Sequence, residues 1–273
     1  MAVITISRQV AALGDEIARE LAARMNYTFI DRKQIESHIV ELGFPKEKLP
    51  KYDERKPGFF ASLARDRDEY LNYLQLAVIE AAAKSNVILI GRGAFAILED
   101  LPNHIALRFV SDDKVRLSRL MNEFSWTEKQ AQQRIDESDL NRRGFHKSFF
   151  NIDCDNPQFY HATLNTGLLT LDTSVMLIQS MVKSLMTKEV EAEGKKKADN
   201  LWKAQHLVNQ LLFTFNLKIN FLNAEITDES VILRGIADSR AVADKALALT
   251  AKYLPSLKAS SQINIVQDFK TFS

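Results

Sequence analysis

The apolar run Val87-Ile88-Leu89-Ile90, closed at once by Gly91-Arg92-Gly93, constrains this chain more than any other segment. Four apolar residues without alternation suit a strand covered on both faces, as in a parallel sheet. Such a strand needs helical crossovers on either side, and the sequence supplies them. Val3-Ile4-Thr5-Ile6 reads as a first buried strand. It runs through a turn-like stretch to Gly14 and into a helix whose Ile17, Leu21 and Met25 share a face. Tyr27–Ile30 and Ile105–Val110 read as further strands, and Thr163-Leu164-Asn165 as the end of another. Helices are expected at Tyr70–Lys84, after Ser111 or Asp112, after Thr127 with Gln130 as a capping box, and around Val175, Ile178, Val182 and Leu185. Lys33 to Asp53 reads as helical but broken by Pro45 and Pro50, and Asp53 to Gly58 as a loop. Strands alternating with helices predict an α/β fold with a parallel sheet.

The pattern changes at Lys188. A charged stretch, 188–200, reads as a linker or an exposed helix end between a first domain at 1–187 and a second at 201–273. The second is expected to hold a helix (Leu201–Phe213), strands at Leu217–Leu222 and Val231–Gly235, a helix (Arg240–Tyr253) and a last strand (Gln262–Gln267). With 36 basic against 35 acidic side chains, the chain gives no global reason to expect nucleic-acid binding. An apolar fraction of 46% is enough for a real core and excludes a disordered chain. No apolar run approaches the roughly 18 residues of a membrane span, and the first residues lack the pattern of a secretory signal. The single cysteine, Cys154, precludes an internal disulfide, in keeping with a cytoplasmic location.

Four places could carry chemistry. Strand, loop and helix at 3–25 is the layout of a phosphate-binding loop, in which backbone N–H groups and a helix amino end face an anion. The motif G-x-x-x-x-G-K-[ST] is absent, since Ser7 to Glu16 holds one glycine and no lysine. An ordinary turn fits the spacing as well. Gly91-Arg92-Gly93 lies where open α/β sheets bind ligands, with a cation between two residues that permit close backbone approach; a tight turn with a surface arginine is the alternative. Asp139, Arg142, Arg143, His146 and Lys147 form a basic cluster suited to phosphate, or a solvated helix face. Asp31 could position a hydroxyl or a hydrated metal ion, or cap the next helix. Histidines 38, 104, 146, 161 and 206 show no metal-ligand spacing, so no metal site is expected. Acidic neighbours Asp153 and Asp155 disfavour a Cys154 thiolate.

Taken together, these segments resemble the cytidylate kinase-like proteins of the P-loop nucleoside monophosphate kinase group. The resemblance rests on residues 6–9 (Ile-Ser-Arg-Gln), 14–17 (Gly-Asp-Glu-Ile), 29–32 (Phe-Ile-Asp-Arg) and 53–57 (Asp-Glu-Arg-Lys-Pro). It continues through 90–94 (Ile-Gly-Arg-Gly-Ala), 101–103 (Leu-Pro-Asn), 138–142 (Ser-Asp-Leu-Asn-Arg) and 164–166 (Leu-Asn-Thr). It implies a three-layer fold and transfer of a phosphoryl group from ATP, with Mg²⁺, to a nucleoside monophosphate, a pyrimidine being plausible. By position it implies that Ser7, Arg8, Gly14, Asp15 and Glu16 hold the donor, that Asp31 and Arg92 contact the acceptor, and that Arg142 with Asp139 closes over the phosphates. Where such relatives carry glycines, this chain has Ala11 and Leu13, whose Cβ atoms restrict positive φ. A non-catalytic nucleotide sensor or scaffold is therefore the rival expectation. Residues 219–266 resemble a BON domain, a small αβ module that implies binding to a small ligand, a protein or a membrane surface.

Overall fold

The computed structural model describes residues 2–52 and 64–266. The predicted loop at 53–58 lies outside them, as does Gln267. The chain divides into two units, Met1–Lys195 and Lys196–Ser273.

The first unit is built on five parallel strands: β1 (Val3–Arg8), β2 (Thr28–Ile30), β3 (Val87–Ile90), β4 (His104–Val110) and β5 (Ala162–Asn165). Their spatial order is β2-β3-β1-β4-β5. The central strand β1 pairs Val3 with Val87 on one side and with His104 on the other. All four residues of β3 are buried, as its unbroken apolar run demands. Ile4, Ile6, Ile88, Ile90, Ile105, Leu107 and Phe109 present one face of the sheet. Against it pack α1 (Gly14–Met25), through Ile17 and Leu21, and α7 (Leu171–Leu185), through Val175, Ile178 and Val182. Burial of each such side chain contributes about 2 kcal/mol. The opposite face is covered in part by the short α4 (Ala94–Ile97), whose Phe95 meets Ala106 and Tyr160. Helices on both faces give the three layers.

The remaining helices of this unit are α2 (Arg32–Glu41), α3 (Ala64–Ala83), α5 (Asp113–Phe124) and α6 (Glu128–Phe150). Asp112 caps α5, and Thr127 with Gln130 closes the expected capping box on α6. The proline-rich stretch after α2 forms a 3₁₀ helix, Lys46–Tyr52, with Pro50 inside it. The charged segment 188–200 is helical, part of α8 (Lys188–Asn209), and the division between the units falls within that helix.

In the second unit a π-helical turn at Gln210–Thr214 leads to β6 (Ile219–Ile226). Then follow β7 (Ser230–Ala237), α9 (Arg240–Tyr253) and β8 (Lys258–Ile265). β6 and β7 are antiparallel, whereas β7 and β8 are parallel, in the order β6-β7-β8. Leu207, Leu211, Leu222, Val231, Leu233 and Ala246 form its core. The last strand begins earlier than its apolar pattern suggests, because Lys258, Ser260 and Gln262 occupy alternate exposed positions. β6 carries a bulge between Asn220 and Asn223, where Phe221 takes φ 53° and is 81% exposed.

A buried histidine marks the amino end of the first sheet. His104 Nε2 meets Thr5 Oγ1 at 2.7 Å. Burial, with a smaller effect from His161, pushes the His104 pKa down from 6.5 to about 3. The folded ring stays neutral while the unfolded ring takes up a proton, so the stability at stake is complete above pH 6.5. It is lost as pH falls towards 3, by at most about 1.4 kcal/mol per pH unit. Urea midpoints measured at pH 7.5 and 5 should therefore fall at the lower pH, and His104→Gln should shrink that fall.

Candidate functional site

The chain leaves β1 towards one face of the sheet, through α1, and leaves β3 towards the other, through α4. A crevice therefore opens at the carboxyl ends of these two neighbours, the switch point where open α/β sheets take their ligands. Its first wall is the loop from Gln9 to Leu13. Ala11 and Leu13 both lie in the left-handed region, with φ 58° and 54°. The loop thus keeps a conformation that glycine would adopt without strain, at a cost of about 1–2 kcal/mol for each Cβ. No side chain caps the amino end of α1, where Leu13 is the capping residue.

The strain is offset by what grips the loop from outside. Arg116 Nε donates to the Val10 carbonyl at 3.0 Å, and Arg119 Nη1 to the Ala11 carbonyl at 2.9 Å. Arg119 also donates to the Thr166 carbonyl at 2.6 Å, tying the loop to the segment after β5. Burial lowers the Arg119 pKa, and the Glu16 charge opposes that shift. Gln9 completes the fixation, its amide donating to Phe109 O and its side chain accepting from Ser111 N, both at 3.0 Å. Val10 and Ala11 pack against Leu120, Ala131 and Ile135, and Leu13 packs against the main core.

The second wall is Gly91-Arg92-Gly93, three consecutive residues with φ 84°, 54° and 68°. A Cβ on Gly93 would fall 2.2 Å from Phe150 of α6. Arg92 is 3% exposed. Its guanidinium donates to Glu36 and, at 3.0 Å, to the Tyr52 carbonyl, and lies over the Phe145 ring. Across the crevice, Arg142 of α6 donates to Ser138 Oγ at 2.5 Å. Ser7 accepts from Arg108 Nη1 at 3.0 Å, and Arg108 also pairs with Asp155. Ser7, Arg8, Gly91, Arg92, Arg142 and His146 enclose a cavity of only about 10 Å³, about the space of one water. Arginines thus converge on one crevice, with acidic or carbonyl partners at several of them. This arrangement suits an anion that displaces those partners.

A family model matches residues 3–168, well over half the chain, and its description is the cytidylate kinase-like family. The chain belongs to that family. Among solved structures, an uncharacterized protein from Eubacterium ventriosum is 18% identical with a TM-score of 0.53, over 67% of this chain and 99% of that one. Shikimate kinase from Bacteroides thetaiotaomicron is 15% identical with a TM-score of 0.41, over 67% and 98%. The first likeness supports the fold. No curated protein matches the sequence. The first unit thus has the P-loop nucleoside monophosphate kinase fold of this kinase-like, nucleotide-binding superfamily, which generally uses ATP and Mg²⁺.

Within this cytidylate kinase-like frame, Ser7, Arg8, Gly14, Arg92 and Arg142 come together at or beside the crevice, and Asp15 lies 3.5 Å from Arg8. Glu16 is exposed in the first turn of α1. Asp31 caps α2: its Oδ1 accepts from Gln34 N at 3.0 Å, and Gln34 Oε1 accepts from Asp31 N. Asp139 turns both oxygens to Arg116 Nη2, at 2.9 and 2.8 Å, and stands 4.0 Å from Arg142. His146 Nδ1 is 2.7 Å from the Arg142 carbonyl. The sequence reading missed Arg108, Arg116 and Arg119. Their signal was available, since Arg116 and Arg119 are three apart on the helix that follows β4, hence on one face above the sheet's carboxyl edge. Cys154 is buried, and burial above all, with Asp155 and Asp153 adding, raises its thiol to about 11. Ligand atoms of Asp153, Cys154 and Asp155 lie within 4.8 Å of one another, but Asp155 is already paired with Arg108.

Two outcomes test this description. Asp139→Ala removes one of the two carboxylates on buried Arg116, leaving Asp113 at 2.9 Å, and should cost about 2 kcal/mol in urea unfolding; a residue with a purely catalytic role would leave stability unchanged. Ala11→Gly relieves left-handed strain and should raise stability by about 1 kcal/mol by the same measurement.

Proposed function

We propose that the first unit transfers the γ-phosphoryl group of ATP to a nucleoside monophosphate, with a pyrimidine nucleotide as the acceptor class. The observation that carries this reading is the convergence of Arg8, Arg92 and Arg142 between a strained phosphate-type loop and the Gly91–Gly93 turn. The left-handed backbone at Ala11 and Leu13 and the uncapped end of α1 fit a phosphate group. Bound ATP would supply the phosphoryl group, and Mg²⁺ would neutralise its charge.

In this reading Ser7, Arg8, Gly14, Asp15 and Glu16 border the donor. Arg92, fixed by Glu36 and Tyr52, presents its charge to the acceptor phosphate, and Asp31 stands at the head of α2 on the acceptor side. Arg142 stabilises the equatorial oxygens of the group in transfer. Asp139 acts on the same helix by holding Arg116, and through it the loop. In such chemistry positioning and charge neutralisation supply most of the acceleration.

A second reading, a non-catalytic sensor or scaffold, is favoured by the side chains at 11 and 13, which stand where a phosphate would approach the loop. For the second unit we propose a BON-like binding module. Its support is the order helix, two antiparallel strands, helix, and a third strand parallel to the second. A small ligand, a protein or a membrane surface is the class of partner.

Calorimetric titration with ATP, with and without Mg²⁺, followed by CMP, tests nucleotide binding. Steady-state turnover with a panel of monophosphates tests transfer. Arg142→Ala should lower kcat by about a thousandfold with little change in KM. Saturable binding without turnover for any acceptor would instead establish the sensor reading.

A further inference from the structure

Gly14 is not glycine for the sake of its own backbone. It begins α1 outside the positive-φ set, where alanine would be the better helix former. What it does is leave room. A Cβ placed there would lie 2.7 Å from Cγ and 2.9 Å from Cβ of Arg8. At the far end of the same side chain, a Cβ on Gly91 would lie 2.9 Å from Arg8 Nη1. Arg8 therefore runs from the end of β1, across the first turn of α1, to the carboxyl end of β3. Two of the nine glycines in this chain flank that path.

A phosphate loop of the G-x-x-x-x-G-K-[ST] kind supplies its cation from the first turn of the helix. Here that turn reads Gly14-Asp15-Glu16 and brings no cation, only two carboxylates. Asp15 stands 3.5 Å from Arg8 Nη2, and the Arg8 side chain is 16% exposed against 40% for Asp15. The cation and the acid thus face each other where the motif has a lysine.

We propose that Arg8 is the phosphate-binding cation of the donor site, delivered from the strand end across Gly14 instead of from the helix. This rests on the nucleotide-binding reading above. An arginine so placed does what a lysine in the helix could not do as well. Its planar fork offers parallel donors to two phosphate oxygens, and its stem is held by packing before the ligand arrives. Asp15 sets the resting position of the fork, and a phosphate that enters takes over that contact.

The test is calorimetric titration of Mg-ATP into the unaltered chain and into Arg8→Ala, Gly14→Ala and the double variant. Arg8→Ala should weaken binding about tenfold to a hundredfold. Gly14→Ala should weaken it comparably by evicting the Arg8 stem. In the double variant Gly14→Ala should add almost nothing, because the side chain it obstructs is gone. Unchanged affinity in Arg8→Ala, or a full additional loss in the double variant, would overturn the proposal. Where Arg8→Ala unfolds, Arg8→Lys and Gly14→Ala carry the test: affinity is expected to fall only in part in the first, which keeps the charge but not the fork, and further in the second, and equal affinity in both would overturn it. No ATP binding by the unaltered, folded chain would sink the donor site itself, and the role of Arg8 with it.

Discussion

Two guanidinium groups gripping the carbonyls of Val10 and Ala11 decide whether the first unit has a phosphate loop at all. Alanine and leucine in left-handed backbone are unfavourable on their own, and a free loop of this sequence would relax into a different turn. The grip works because Arg116 and Arg119 come from a helix that is itself fixed, capped by Asp112 and packed through Leu120 onto Ala131 and Ile135 of α6. Arg116 is buried to 1% exposure, so it needs counter-charge, and Asp113 of α5 and Asp139 of α6 supply it. One chain of charge and hydrogen bonds therefore runs from α6 through α5 to the loop. The same α6 carries Arg142, so these contacts connect its helix to the loop.

Much of the frame was legible in the residues, for physical reasons that can be named. Val87–Ile90 had no polar alternation, and it is buried on both faces. Thr127 and Gln130 stood three apart, and they close a capping box. Arg240–Tyr253 had its helical bounds written in its apolar spacing. What stayed hidden was long-range. Nothing local announces that Arg116 reaches Val10 across more than a hundred residues, or that Asp139 serves Arg116 more closely than Arg142. Asp31 shows the reverse case, where the local rule was sufficient, since a lone aspartate before a helix does cap it.

The loop also qualifies what a missing glycine means. Ala11 and Leu13 stand at positive φ, which a Cβ disfavours. The fold tolerates them because Leu13 gains contact with the main core while Arg119 holds the Ala11 carbonyl. Three glycines beside the crevice lie where a Cβ would clash. Gly93 lies against Phe150, and Gly14 and Gly91 lie against Arg8. In a chain with nine glycines, position says more than number.

The bulge in β6 carries a consequence for the second unit. β6 is an outer strand of a three-stranded sheet, and such a strand ordinarily offers its unpaired amides to any extended peptide. The interruption between Asn220 and Asn223 breaks that row and turns the Phe221 ring outward. A bulged margin resists strand addition and the runaway stacking that follows from it. What this margin offers to solvent is therefore side chain more than backbone, with the Phe221 ring exposed upon it.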